Sequence, residues 1–251
     1  LYKNIFVSQS PADLGNSIGS ALYVYYNILS KERNINKNIS LYTGTQDNKN
    51  NEKVRGILEN YQLRFEEFDS NKKLISKIIQ NLLEEKVISL CNARSEFGER
   101  ALGSRSIIAM PTSKKMKDLI NAKIKYRESY RPFAPVCLQE EASNYFQVKH
   151  DYQCPAMEKT VYVRPESKQF LEAITHDDDS ARLQTINNDS KILLAEILRE
   201  MKKENITPVL VNTSFNLNGE PNVETVNDAI RTYFSSGLDY LVISDRFLIY
   251  K

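Results

Sequence analysis

The sequence predicts an α+β fold, an irregular α/β arrangement in which a mixed sheet is flanked by helices. Three observations predict it. Val54, Ile57, Leu58 and Tyr61, and again Leu74, Ile75, Ile78, Ile79, Leu82 and Leu83, repeat at the spacing of one helix face. Short, mainly apolar runs at 87–90 and 208–211 read as buried strands. The two kinds of segment are mixed without strict alternation, which is the pattern of an α+β chain.

Taken in order, Ile5 to Val7 reads as a short strand, Pro11 to Gly15 as a turn, and Asn16 to Leu29 as a helix. Residues 31–53 are dominated by Asn, Lys and Ser and predict a linker, with a domain boundary near Ser40. The two helical patterns follow, then a strand at Val87–Asn92 and another at Ser106–Met110. A helix is expected from Ser113 to about Ala122, a strand at Ala134–Leu138, a short helix over Glu140–Phe146 and a strand at Glu158–Val163. Ser190–Lys203 predicts a long helix and Pro208–Asn212 a strand. Thr225 with Asp228 three residues on is a capping signature, and Gly237 is placed to stop that helix. Strands at Tyr240–Ile243 and Arg246–Tyr250 close the chain.

Bulk composition narrows the function classes. The 251 residues carry 34 Lys+Arg against 32 Asp+Glu, a net charge of +2, which does not point to nucleic acid or an anionic membrane. No apolar run is long enough to span a bilayer. Cys91, Cys137 and Cys154 are odd in number and widely spaced, lacking the pairing of a zinc site or redox couple. Structural thiols in a cytoplasmic protein are the simplest reading. His150 and His176 are too isolated to predict an all-protein metal site. The first residue is Leu1 rather than Met.

Four segments carry chemistry. The densest runs from Arg94 to Ile107, with Arg94, Arg100 and Arg105 and two glycines, Gly98 and Gly103, between two apolar strands. Guanidinium groups offer a planar fork of donors to phosphate and carboxylate oxygens, and glycine permits tight turns. A second cationic group, Lys123, Lys125, Arg127 and Arg131, runs into Pro132-Phe133-Ala134-Pro135, whose prolines favour an ordered loop. The two groups read either as one polyanion site or as a solvated basic face. The third segment, His176 to Arg182, mixes a histidine, three aspartates and an arginine, and by itself reads as readily as an exposed acidic turn. In the fourth, an apolar strand delivers Asn212, Thr213, Ser214 and Asn216 at its C-terminal end, where open α/β sheets tend to bind ligands. A polar turn into Asn218-Gly219 is the plain alternative.

Together, and in this order, Ser95–Ser106, Lys125–Pro135, His176–Arg182 and Asn212–Asn216 resemble the C-terminal domain of the nodulation-type and antibiotic-type O-carbamoyltransferases. The resemblance runs from about Leu41 to the end. Pro11–Gly15 and Gly19–Ala21 resemble the end of that family's N-terminal ASKHA (Kae1-like) domain. The resemblance implies a YrdC-like twisted mixed sheet over 41–251, with 1–40 as the tail of the N-terminal domain plus linker. It also implies a two-stage reaction. Carbamoyl phosphate and ATP, with Mg²⁺, give carbamoyl adenylate in the C-terminal domain. The N-terminal domain, with an iron-type metal, then passes the carbamoyl group to a hydroxyl acceptor, a small molecule or sugar. Nearly all of that N-terminal domain, with its histidine motif, is not in this sequence, so the chain alone is expected not to complete transfer. Lys125, Arg131, Arg182 and Ser214 are the expected catalytic positions; Arg94, Arg100, Arg105, Asn212 and His176 are the expected substrate-binding ones. Ala93 stands where glycine is common, Glu99 where proline is usual, and His-Asp-Asp-Asp replaces His-Val-Asp-Gly. A non-catalytic module binding nucleotide or carbamoyl phosphate is the competing reading, and RNA binding a further one that the near-neutral charge disfavours.

Overall fold

The computed structural model describes residues 6–10, 13–33 and 40–251. Ten strands are laid down among these residues: β1 (Arg64–Glu67), β2 (Ile88–Cys91), β3 (Arg105–Ala109), β4 (Ala134–Leu138), β5 (Thr160–Tyr162), β6 (Ser180–Arg182), β7 (Gln184–Ile186), β8 (Val209–Ser214), β9 (Tyr240–Ile243) and β10 (Phe247–Tyr250). Eight form one mixed sheet in the order β1-β10-β9-β2-β3-β8-β4-β7, and β5 with β6 makes a separate ribbon. Only β9/β2 and β4/β7 are parallel pairs within the large sheet; its other neighbours run antiparallel. The expected α+β class with a mixed sheet is the class observed.

Helices α2 (Asn51–Asn60), α3 (Asn71–Leu83), α4 (Lys114–Ile120), α5 (Ala142–Tyr145), α6 (Leu193–Lys203) and α7 (Val226–Phe234) cover both faces, while α1 (Leu14–Tyr23) has no buried residue. The strand alternation decides which side each residue serves. Ile107, Ala109, Val209, Val211, Leu241 and Ile243 join the core under α2, α4 and α7. Their neighbours Ile108, Leu210 and Val242 point the other way, into the core under α3 and α6. Both sides being covered is why these strands lack polar alternation and read as continuous apolar runs. Each fully buried Leu or Ile there contributes about 1.5–3 kcal/mol of transfer free energy. Ser70 and Ser113 accept from the third N–H of α3 and α4, and Thr225 with Asp228 forms the expected capping box on α7.

Four local expectations change. Of the strand at 5–7, Ile5 lies outside the described residues and Phe6 and Val7 join no strand. Pro11 and Ala12 likewise lie outside, and from Leu14 the chain is helical, so no turn persists to Gly15. The linker expected over 31–53 is a docked segment from Tyr42 to Asn50. Tyr42 donates to Leu102 O (3.1 Å), buried Asn48 donates to Cys91 O (3.0 Å), and Asp47 accepts from Val226 N (2.8 Å). Polar side chains there satisfy buried backbone groups rather than solvate a tether. Gly237 does not stop α7 through a left-handed cap: the helix ends at Phe234. Instead Gly237 N donates to Lys123 O at 2.9 Å, and a Cβ at 237 would stand 2.9 Å from Lys123 Cβ. The three cysteines are free and buried, and burial pushes the Cys91 thiol up to about 11.

Candidate anion-binding active site

The loop between β2 and β3 is held by its own charged residues. Glu96 Oε1 accepts from the backbone N–H of Leu102, Ser104 and Arg105 at 2.8, 2.7 and 3.1 Å. Gly98 and Gly103 take φ of +101° and +120°, which the tight return of this loop requires. Arg105 is fully buried and gives its guanidinium to carbonyls: Nε to Glu224 (3.1 Å), one terminal nitrogen to Asn92 (2.7 Å) and the other to Thr45 (3.3 Å). Arg105, expected to bind substrate, faces backbone carbonyls rather than a cavity. Its donors are spent tying together three segments. The loop so braced presents Glu99 and Arg100 at an exposed crest.

Lys125 closes the wider turn, 121–125, that extends α4. Tyr126 follows in the left-handed region at φ 46°, which turns the chain sharply towards Pro132. Buried Asn121 secures the return, donating to Ser129 O and Arg131 O (3.3 and 3.0 Å) and accepting from Arg127 Nε (2.8 Å). The Arg127 guanidinium lies over the Phe133 ring, 4.9 Å from its centroid. The Lys125 ammonium is buried against the end of β8. It donates to Ser214 O, to Ser214 Oγ (3.2 Å), to Asn216 O (3.2 Å) and to Asn216 Oδ1 (2.7 Å). Its partners are all neutral, so burial, and secondarily the charge of Arg127, pushes its pKa down to about 7.

β8 and the start of β4 bring the rest together. Arg100, Arg127, Arg182, Asn212 and Ser214 line one cavity of about 110 Å³, walled also by Phe133, Met157 and Glu99. Arg182 comes from the end of β6. Burial, then the charge of Arg100, holds it below the ordinary guanidinium value; Glu99 opposes this and Arg127 adds to it. Arg182 Nε and Asn212 Oδ1 are buried without a hydrogen-bond partner, while Asn212 Nδ2 donates to Ala101 O and Gln184 Oε1 (3.0 and 2.6 Å). Three guanidinium groups around a small cavity repel one another, and an anion with several oxygens relieves that repulsion and meets the unspent donors. Phosphate and carboxylate oxygens fit this wall; a cationic ligand does not.

Five expected residues therefore converge: Arg100, Arg182, Asn212 and Ser214 on the cavity, with Lys125 behind Ser214. The remaining four stand apart. Arg94 is exposed and donates to Thr43 O at 2.7 Å. Arg105 is internal, as described. Arg131 is exposed, pairs with Glu128 at 3.4 Å and reaches the site only through its charge on Arg127. His176 is half-buried, with Nδ1 3.1 Å from Ser180 Oγ in the turn before β6; burial holds its pKa below the usual histidine value, so it is neutral at pH 7. Arg127 and Asn216 belong to the site although the resemblance did not single them out. Their place in Lys125-x-Arg127 and Ser214-x-Asn216, one residue skipped in each, was the available signal.

Comparison with known proteins concerns the family of the chain. Residues 79–251 match the family model described as the carbamoyltransferase C-terminus. The chain is 38% identical to nodulation protein NolO of Bradyrhizobium diazoefficiens, across 100% of this chain and 45% of that protein. It is 34% identical to the 3'-hydroxymethylcephem-O-carbamoyltransferase of Amycolatopsis lactamdurans, across 64% of this chain and 30% of that one. It thus spans less than half the length of these curated relatives. Among solved structures, full-length HypF in its phosphate- and nucleotide-bound form gives a TM-score of 0.48 at 16% identity, covering 68% of this chain and 25% of that one.

Proposed function

Because the chain belongs to the carbamoyltransferase C-terminal family, we propose that it is the carbamoyl-activating part of an O-carbamoyltransferase, forming carbamoyl adenylate from carbamoyl phosphate and ATP. In this reading residues 41–251 are the YrdC-like activating domain and 1–40 the tail of an ASKHA-like domain plus linker. The observation that carries the proposal is the cavity where Arg100, Arg127 and Arg182 meet Ser214 and Asn212, with the Lys125 ammonium buried directly behind.

Atom balance frames the chemistry. Phosphate and pyrophosphate both leave, so one water is consumed: carbamoyl phosphate is hydrolysed to carbamate and phosphate, and a carbamate oxygen attacks the α-phosphorus of ATP to expel pyrophosphate. Both reactants are polyanions whose repulsion must be offset before they can meet. Arg100, Arg127 and Arg182 supply fixed cations for that purpose. Asn212 Oδ1, unpartnered, is a neutral acceptor for the carbamoyl N–H₂, and the Ser214 hydroxyl, which donates to Asn216 Oδ1, offers a further acceptor, so both orient the carbamoyl group without adding charge. Lys125 holds Ser214 and Asn216 in place and contributes positive charge when protonated.

Among the described residues no group of His, Cys, Asp and Glu is arranged to hold a metal. Glu96, Glu99 and Asn222 do line an adjoining cavity, and Asn222 Oδ1 is buried there without a partner, so hard oxygen ligands are at hand for Mg²⁺ carried by ATP. When bound, Mg²⁺ neutralises triphosphate charge. Transfer to a hydroxyl acceptor, and the iron-type metal expected for it, fall to the N-terminal domain. Among the described residues no helix is long and apolar enough to cross a membrane.

The test is pyrophosphate release from Mg-ATP by the 251-residue chain, with and without carbamoyl phosphate, beside Lys125→Ala. Release that requires carbamoyl phosphate and is lost in Lys125→Ala is expected. Binding of either substrate without any release would make the chain a binding module and overturn the catalytic reading.

A further inference from the structure

A second cavity, of about 310 Å³, opens at the same edge of the sheet but shares no lining residue with the anion site. Its floor follows from the one parallel pair at the centre of the sheet. Cys91 of β2 pairs with Ile243 of β9, so the next residues, Asn92 and Ser244, emerge side by side at the C-terminal ends of the two strands. Both chains then turn through left-handed residues, Ala93 at φ 50° and Ser244 itself at φ 55°. Asn51 and Asn71, the first residues of α2 and α3, close the cavity from opposite faces of the sheet.

These four residues have one property in common. Asn51 Oδ1, Asn71 Oδ1, Asn92 Oδ1 and Ser244 Oγ are all buried without a hydrogen-bond partner. Asn92 and Ser244 are themselves only 4% and 7% exposed. A buried acceptor without a partner costs about 1–3 kcal/mol, so four around one cavity mark a place that is completed by donors from elsewhere. The charges on the wall are balanced, Lys49 and Lys191 against Glu196 and Asp245. That balance disfavours a polyanion and a free cation alike. No aromatic side chain lines the cavity, so a nucleobase or other flat apolar group finds no stacking surface. The volume exceeds what one ion or water needs and lies at the lower end for small-molecule pockets.

We propose that this cavity binds a neutral polyhydroxylated molecule, a sugar or cyclitol, whose hydroxyls donate to Asn51, Asn71, Asn92 and Ser244. The site lies about three strands from the anion cavity, roughly 14 Å across the sheet. It shares no lining residue with the anion cavity, so the proposal does not rest on the catalytic reading.

The experiment titrates glucose, N-acetylglucosamine and myo-inositol, at millimolar concentration, into the full chain by saturation-transfer NMR and calorimetry. Asn92→Ala and Ser244→Ala are run in parallel. Each removes one unpartnered side-chain atom and leaves the backbone bonds at 92 and 244 in place, and circular dichroism identifies any variant that fails to fold. Saturable binding of at least one polyol is expected, weakened about three- to tenfold in either folded variant. No saturable binding of any of the three, or binding indifferent to both substitutions, would overturn the proposal and leave water as the occupant of the cavity.

Discussion

At the scale of single residues, Lys125 sets the most specific expectation. Its native pKa of about 7 lies below the ordinary lysine value, so between the two the unfolded chain holds the extra proton. Stability contributed through this group therefore rises with pH above about 7, and below it the protonated ammonium is a burden on the fold. Ligand binding has the opposite sign. An anion beside Ser214 favours the charged ammonium and raises its pKa, so affinity for ATP or carbamoyl phosphate should fall as pH rises above about 7, by at most about tenfold per unit for one linked proton. Calorimetry in two buffers of different ionisation heat should register uptake of up to about one proton at pH 8. A flat affinity from about pH 6 to about pH 9 would remove Lys125 from contact with the anion. Ala93 gives a second expectation. At φ 50° it occupies a left-handed conformation that glycine takes freely. Ala93→Gly should therefore stabilise the chain by about 0.5–1 kcal/mol, visible as a rise in Tm of about 2 °C.

At the scale of elements, the best-specified joint is α6 against the motif loop. Gly103 sits at φ +120° with Leu194 Cδ2 and Ile192 Cδ1 3.0 and 3.1 Å from where a Cβ would stand. Gly103→Ala meets both a strained backbone and a packed helix. It should cost more than about 2 kcal/mol and weaken substrate binding with it, because the same turn is held by Glu96 and carries Arg100. A thermal melt together with ATP titration separates this from a surface change, which would move neither. The elements themselves were largely legible. α3 buries five apolar residues of one face, β8 opens on Val-Leu-Val and β9 is an unbroken apolar run, because each is buried against something large. The strands that escaped notice carry little such signal. β1 is a half-exposed edge of Arg-Phe-Glu-Glu, and β6 and β7 are three residues each, specified by their partners β5 and β4 rather than by pattern. The site was legible in the same uneven way. Arginine in a motif reads as a ligand whether its donors face a cavity, as in Arg182, or backbone carbonyls, as in Arg105. The sequence alone does not carry that difference, since it depends on where Thr45 and Glu224 return in space.

At the scale of the molecule, the chain divides by burial. Among the described residues, 51–251 supply every buried residue of the apolar cores, with Leu41 and Tyr42 packed against one of them. By contrast α1 and the wider turn continuing it, Val24–Ile28, have no buried residue. Leu22, Tyr23, Tyr25 and Ile28 are exposed along it, and the segment's approach to the rest of the molecule is at Leu14, beside Gly98 and the cavity containing Glu99. Hydrophobic stabilisation scales with area removed from water, and this helix removes little of its own. Replacing the exposed Leu22, Tyr25 and Ile28 together by Gln should therefore shift Tm by less than about 2 °C, because these side chains bury little area in a domain of this size. The same triple substitution should lower binding of an apolar fluorescent dye, since it removes an exposed apolar surface of the kind that marks an interaction face. The two readouts are independent. An unchanged Tm with reduced dye binding would show that the segment is energetically separate from the domain. A fall in Tm of more than about 5 °C would mean that it packs on the domain and belongs to its core.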